Sequence, residues 1–164
     1  MSPRSVTLGG RTILLNHVTA GPIIDLRHRL LRAGLPRESA HFDGDDLPTT
    51  LHYAALCDER VVCCLTLLAS TWEQEPAFQL RGMATEGPLQ GSGIGRALVR
   101  YAMEDAATRR PEMRFAWCNA RVSAAGFYQK LGWRIVSEPF VIPTAGPHVR
   151  MVIELAATGL RSHL

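Results

Sequence analysis

Between an apolar run and a helix-period run the chain carries Gln90-Gly91-Ser92-Gly93-Ile94-Gly95-Arg96, with three alternate glycines. Ala77 to Thr85 (AFQLRGMAT) reads as the strand before it, and Ile94, Ala97, Leu98, Tyr101, Ala102 and Ala106 recur on one helix face after it. A strand, a glycine turn and a helix N-terminus leave several backbone N–H groups unpaired, aimed together from the positive end of the helix dipole. Such a place receives an anion. Glycine suits it because no side chain keeps the backbone from phosphate oxygens and positive φ is tolerated.

Spacing separates the motifs that could own this loop. A P-loop needs Lys-Ser or Lys-Thr after its last glycine, and Arg96-Ala97 stands there instead. A dinucleotide fingerprint needs glycine at the third position beyond Gly93, which is Arg96, and an acid ending the next strand, whereas Glu112 precedes that strand. What remains, Gln-x-x-Gly-x-Gly, resembles the acyl-CoA pyrophosphate loop of the GNAT superfamily of N-acetyltransferases; the alternative for the loop taken alone is a turn without a ligand. A second stretch, Asn119 to Trp133 (NARVSAAGFYQKLGW), resembles the superfamily segment in which a helix with a Phe/Leu-Tyr pair ends at Leu-Gly-Phe. The two stand in the right order, with a predicted strand, Met113 to Cys118, between them. The resemblance is close over residues 77–136 and holds elsewhere in outline.

The 164 residues are read as one domain, 1–164, long enough to bury about two-thirds of the unfolded surface. Hydrophobic content of 46%, charged content of 20% and no apolar run of about 18 residues exclude a helical membrane span. MSPRSVTLGG lacks the apolar core of a secretory signal, so a cytoplasmic protein is expected. Cys57, Cys63, Cys64 and Cys118 have no metal-site spacing and read as reduced thiols; no metal is expected. A net charge of +3 is too small to argue for nucleic acid and suits an anionic cosubstrate. Of 18 basic residues only Lys130 is lysine.

Taken in order, Arg11 to Thr19 is the first expected strand. Gly21-Pro22 opens a helix with an apolar stripe of Ile23, Leu26, Leu30 and Ala33, a basic face of Arg27, His28, Arg29 and Arg32 that is solvated or else partly lines an acceptor or CoA-phosphate site, and a stop at Gly34 and Pro36. Asp43-Gly44-Asp45-Asp46 reads as a turn, or as carboxylates that attract an amine. His52 to Cys57 and Val61 to Ser70 form a hairpin joined by the three residues Asp58-Glu59-Arg60, the second strand central and apolar on both faces. Trp72 to Pro76 reads as a polar loop. The helix from Ile94 ends at Arg109-Arg110-Pro111, and strand, helix and strand make a right-handed parallel crossover. Ser123 is the expected cap of a helix with a stripe of Ala124, Phe127 and Leu131 and with Gly132 as its C′ residue. His148 to Leu155 is the last strand, and the tail from Ala156 frays.

The whole is an α/β three-layer fold with a mixed sheet of six or seven strands. The resemblance adds a GNAT-like architecture: a mostly antiparallel sheet, about four flanking helices, and central strands at 77–85 and 113–118 splayed apart for acyl-CoA. It implies acetyl-CoA as cosubstrate, with its pyrophosphate on Gln90, Gly91, Ser92, Gly93, Ile94, Gly95 and Arg96, and its pantetheine on backbone around Met83, Ala84 and Thr85. Asn119 is placed near the CoA, and Tyr128 matches the tyrosine that often protonates the departing thiolate. Many relatives hold a glutamate where Gln79 stands, so the general base is Glu73, Glu75, Glu86, His52 or, preferably, water. The implied activity is acetyl transfer to a primary amine, of a small molecule or a protein N-terminus, by a monomer or homodimer. The competing reading, favoured by Gln79, is a catalytically weak CoA-binding regulatory module.

Overall fold

In the computed structural model, which describes residues 1–155, one strongly connected sheet carries everything else. Its strands are β1 (Arg4–Leu8), β2 (Arg11–Val18), β3 (Leu51–Cys57), β4 (Arg60–Trp72), β5 (Glu75–Thr85), β6 (Phe115–Arg121), β7 (Arg134–Ile135), β8 (Phe140–Ile142) and β9 (Gly146–Glu154). They run in the order β1-β2-β3-β4-β5-β6-β9-β7, with β8 also on β9. Every pairing is antiparallel except β5 with β6. That exception is the expected crossover through α2 (Ile94–Arg109). The other helices are α1 (Gly21–Leu31) and α3 (Ala125–Lys130).

Two faces are covered, and alternation along the strands decides by what. Ala54, Cys64 and Ala84 point to one side and pack on Ile23 and Leu26 of α1. Tyr53, Ala55, Cys63, Leu65, Phe78 and Leu80 point to the other, where α2 and α3 bury Leu98, Ala102 and Tyr128. Val62 to Leu65 of β4 are 0% exposed, as a central strand requires. All four cysteines are free, three of them buried.

Nine strands exceed the six or seven expected, because β1, β7 and β8 are short. Both hairpins flanking β4 are tighter than the sequence reading made them. Asp58 and Glu59 (φ 49° and 64°) form a two-residue turn in place of a three-residue connection, and Glu73 and Gln74 (φ 48° and 70°) form another where a loop was expected. Both central φ values are positive, as in the primed turns whose twist matches paired strands. Ser123 is not a cap: Val122–Ala124 forms a 3₁₀ turn and α3 begins after Ala124 with no side-chain cap. Gly132 does occupy the left-handed position after α3, at φ 94°. The tail expected to fray lies outside the described residues.

The largest correction concerns α1. Its sheet-facing row is Ile23, Leu26 and Arg27, while Leu30 is 38% exposed. Arg27 is not on a solvated face. It is 0% exposed, and its guanidinium fork meets Asp45 at 2.6 and 3.2 Å, Thr66 Oγ1 at 2.6 Å and the Ala40 carbonyl at 3.0 Å. The Phe42 ring lies 4.1 Å from it, and the Phe42 N–H donates to Asp45 at 2.7 Å. Asp45 is therefore consumed by the fold and is not a free lure for an amine. Burial alone works to raise its pKa, but the Arg27 fork and the Phe42 N–H outweigh that and hold it below the usual carboxylate range.

Candidate active site

β5 and β6 pair over only three levels, Ala77 with Phe115, Phe78 with Ala116 and Gln79 with Trp117, and then part. The opening between them is a cleft of about 820 Å³. On its β5 side the register against β4 shifts between Cys64 and Thr66, opposite Gly82 at φ 64°. A bulge there turns the backbone from Gly82 to Thr85 towards the gap. Met83, Ala84 and Thr85 line one wall, and Asn119 and Tyr128 belong to the other.

The glycine loop closes one end. Gly91 and Gly93 take φ of 79° and 93°, a conformation other residues adopt only under strain. Gly93 is the N-cap of α2 and has no side-chain cap; the Ala97 N–H to Gly93 O bond at 3.0 Å opens the helix ladder. The N–H groups before it have no partner within the helix. A Cβ on Gly95 would lie 3.2 Å from Met83 Cε, so glycine there lets α2 approach β5. Gln90 Nε2 donates to Thr85 O at 3.2 Å and ties the loop to the strand end. Gln90, Gly91, Gly93, Gly95 and Arg96 line the cleft. Ser92 and Ile94 do not: the Ser92 hydroxyl turns back to Leu89 O, and Ile94 is buried in the core.

Tyr128 reaches the cleft from α3. Its ring packs edge-on between Phe127 (5.0 Å) and Trp133 (5.3 Å), and its hydroxyl donates weakly to Met83 Sδ at 3.5 Å. Burial pushes this phenol well above its ordinary value, so it stays a donor throughout the neutral range. The cleft is strongly one-sided in charge. Arg81, Arg96, Arg121 and Lys130 line it, and among the described residues no carboxylate does.

Residues 48–135 match the family description "Acetyltransferase (GNAT) domain". The chain belongs to this acetyltransferase family. It is 30% identical over 130 residues, 77% of this chain and 86% of the relative, to the uncharacterized N-acetyltransferase YitI of Bacillus subtilis. Its fold is that of Escherichia coli ElaA (TM-score 0.70, 18% identity, 85% of this chain and 97% of that one). It is also that of a GNAT family acetyltransferase from Elizabethkingia anophelis with acetyl-CoA bound (TM-score 0.62, 21% identity, 87% and 97%). The protein is thus an acetyl-CoA-dependent N-acetyltransferase, and its sheet split is the family's splay. The competing reading, a catalytically weak CoA-binding regulatory module, is not favoured.

None of the four protein bases expected for this GNAT enzyme lines the cleft. Glu73 and Glu75 sit at the opposite end of β5; eight strand residues from Glu75 to Met83 span roughly 26 Å. Glu86 is held by Arg29 at 2.6 Å, and that bond keeps its pKa low. His52 is buried with both nitrogens engaged, one by Thr66 Oγ1 at 2.8 Å and the other by Asp45 O at 3.0 Å. Its pKa is lowered by burial, so it is neutral; its ring then donates to the Asp45 carbonyl and accepts from Thr66.

A different histidine was missed. His148, read only as the start of the last strand, lines the cleft and is 5% exposed. Its Nδ1 lies 2.8 Å from Gly146 O, which makes Nδ1 the protonated nitrogen and leaves the Nε2 lone pair free. The other titratable groups lining the cleft are Tyr128, Cys118, whose thiol burial pushes up to about 12, and the four cations. His148 is the one imidazole among the described residues that line the cleft. No signal in one sequence marks it, because β8 and β9 bring it to the cleft from beyond the recognisable motifs.

Proposed function

We propose that the protein transfers acetyl from acetyl-CoA to a primary amine, with Tyr128 and His148 on the reacting centre. The observation that carries this is the cleft itself: helix N-terminal N–H groups at one end, a buried phenol on its wall, and one imidazole whose Nε2 is not engaged. The loop from Gln90 to Arg96 would hold the pyrophosphate, with Arg96, Arg121 and Lys130 adding positive charge. The backbone from Met83 to Thr85 would meet the pantetheine amides, and the thioester supplies the acetyl group.

In the transfer the amine nitrogen bonds to the carbonyl carbon, the C–S bond breaks with its electron pair on sulfur, and the proton lost by nitrogen passes to His148 Nε2, directly or through water. Tyr128 donates a hydrogen bond to the developing thiolate, which in a dry site is stabilising without full proton transfer. This reading replaces the solvent base favoured by the sequence. It is tested by thiol release against pH for two amines whose pKa values differ by about two units. A midpoint common to both acceptors, and absent in His148→Gln, supports a protein base. A midpoint that moves with the acceptor's own pKa returns the proton to solvent.

A further inference from the structure

The position of the acceptor follows from the split, and with it a substrate class; the placement rests on the acetyltransfer reading above. Thr66, which bonds Arg27 of α1, is paired with Arg81, and Leu68, two residues on, with Gln79. Gln79 in turn pairs with Trp117. Paired residues share a face, so Gln79, Arg81 and Trp117 all point to the α1 side. Tyr128 belongs to the opposite layer. An amine attacking a thioester held against Tyr128 therefore arrives from the α1 side, over the apex formed by Gln79 and Trp117.

That apex is lined by cations and aromatic rings. On one rim Arg81 lies 3.6 Å from Asp45 and donates to the Asp43 carbonyl, so its charge is already answered. On the other rim is Arg150 of β9, paired in register with Asn119. Its Nε donates to Asn119 Oδ1 at 3.3 Å, and its guanidinium sits 5.2 Å from the Trp117 ring and 6.0 Å from the Phe140 ring. Among the described residues it has no ion-pair partner. A guanidinium near two rings and tethered through Nε leaves its two Nη groups as a fork, which matches a carboxylate and not an ammonium. Asn119 lines the cleft, so the fork lies one residue from it.

We propose that Arg150 receives a carboxylate of the acceptor, so that the natural acceptor is an aminocarboxylate whose apolar body lies along Trp72 and Trp117. These two rings stand 6.3 Å apart on that face, which leaves an apolar floor beside the fork. The same charge distribution helps the chemistry. Glutamine at position 79 places no negative charge at the apex to hold the amine as its ammonium form, and the neutral amine is the nucleophile. A glutamate in place of Gln79 would do the reverse.

The test compares L-phenylalanine with 2-phenylethylamine as acceptors in thiol release. The two amines differ in basicity, so the change in the ratio of kcat/KM on substitution decides, rather than its absolute value. A charge-assisted fork predicts that Arg150→Gln lowers the ratio about ten- to hundredfold, with Arg150→Lys between. A ratio unchanged in Arg150→Gln overturns the proposal. Failure of the acetyltransfer reading looks different: neither amine releases thiol. In that event binding decides, as the thermal shift given to the CoA-loaded protein by N-acetylphenylalanine against N-acetyl-2-phenylethylamine. A larger shift with the carboxylate, lost in Arg150→Gln, upholds the fork; equal shifts refute it.

Discussion

Asp45→Ala should destabilise the protein far more than a loop substitution usually does. The change removes two contacts to the Arg27 guanidinium, at 2.6 and 3.2 Å, the 3.6 Å ion pair with Arg81 and the acceptor of the Phe42 N–H. It leaves Arg27, 0% exposed, with only the Ala40 carbonyl and Thr66 Oγ1 as partners, while its Nε already has none. Breaking a buried ion pair from one side costs about 3–5 kcal/mol, because the other charge stays behind. For a chain of this size each kcal/mol moves Tm by about 2–4 °C, so a fall of about 6–20 °C is expected. The double variant Arg27→Met/Asp45→Leu, which removes both charges, should regain most of that loss. The pH dependence has a fixed sign. Asp45 has a folded pKa below its unfolded value of about 3.9, so its contribution is complete above that value and disappears as pH falls through the folded one. The difference in Tm between wild type and Asp45→Ala should therefore be full at pH 7 and narrow as pH falls below about 3.9. A single variant within about 2 °C of wild type at pH 7, or a double variant worse than the single, would refute the reasoning.

Gly93→Val should lose the thermal shift given by acetyl-CoA, which at 100 times the dissociation constant is worth about 2.7 kcal/mol. The added branch meets a left-handed φ of 93° and the unpaired N–H groups together, and an undiminished shift in a folded variant would move the anion site elsewhere. Tyr128→Phe forfeits only a weak 3.5 Å bond to Met83, so folding and acetyl-CoA binding should survive while turnover falls about 10²- to 10⁴-fold; wild-type turnover would make the phenol a packing residue.

What the sequence disclosed and what it hid divide along physical lines. The loop from Gln90 to Arg96 was legible because its demand is on backbone, and only glycine meets it at φ of 79° and 93°. The crossover from β5 through α2 to β6 was legible from two clear periods and the chirality of such units. Arg27 was misread because helical spacing assigns a face but not a partner, and the partner, Asp45, lies eighteen residues away in a turn. Serine at position 123 offers a cap, but the chain enters α3 through a 3₁₀ turn. The strand Arg4–Leu8 could have been found: Ser5-Val6-Thr7-Leu8 alternates, and Gly9-Gly10 supplies two positive φ values for the turn into β2. His148 and Arg150 had no such signal, since their meaning depends on which strand β9 joins.

The parting of β5 and β6 after three levels changes how many edges the sheet has. An open sheet has two; this one has four, since residues 80–85 of β5 and 118–121 of β6 each lose a neighbour on the inner side. Edge strands elsewhere are blunted by charge, proline or a covering loop. These inner edges have a bulge at Gly82 on one side and cations at the mouth, so another polypeptide strand is hindered sterically while a slender anionic chain is drawn in. Amide hydrogen exchange at 83–85 and 119–121 should accordingly slow when CoA is added, and the ligand-free protein should be the form in which those amides exchange fastest of any in the sheet's centre.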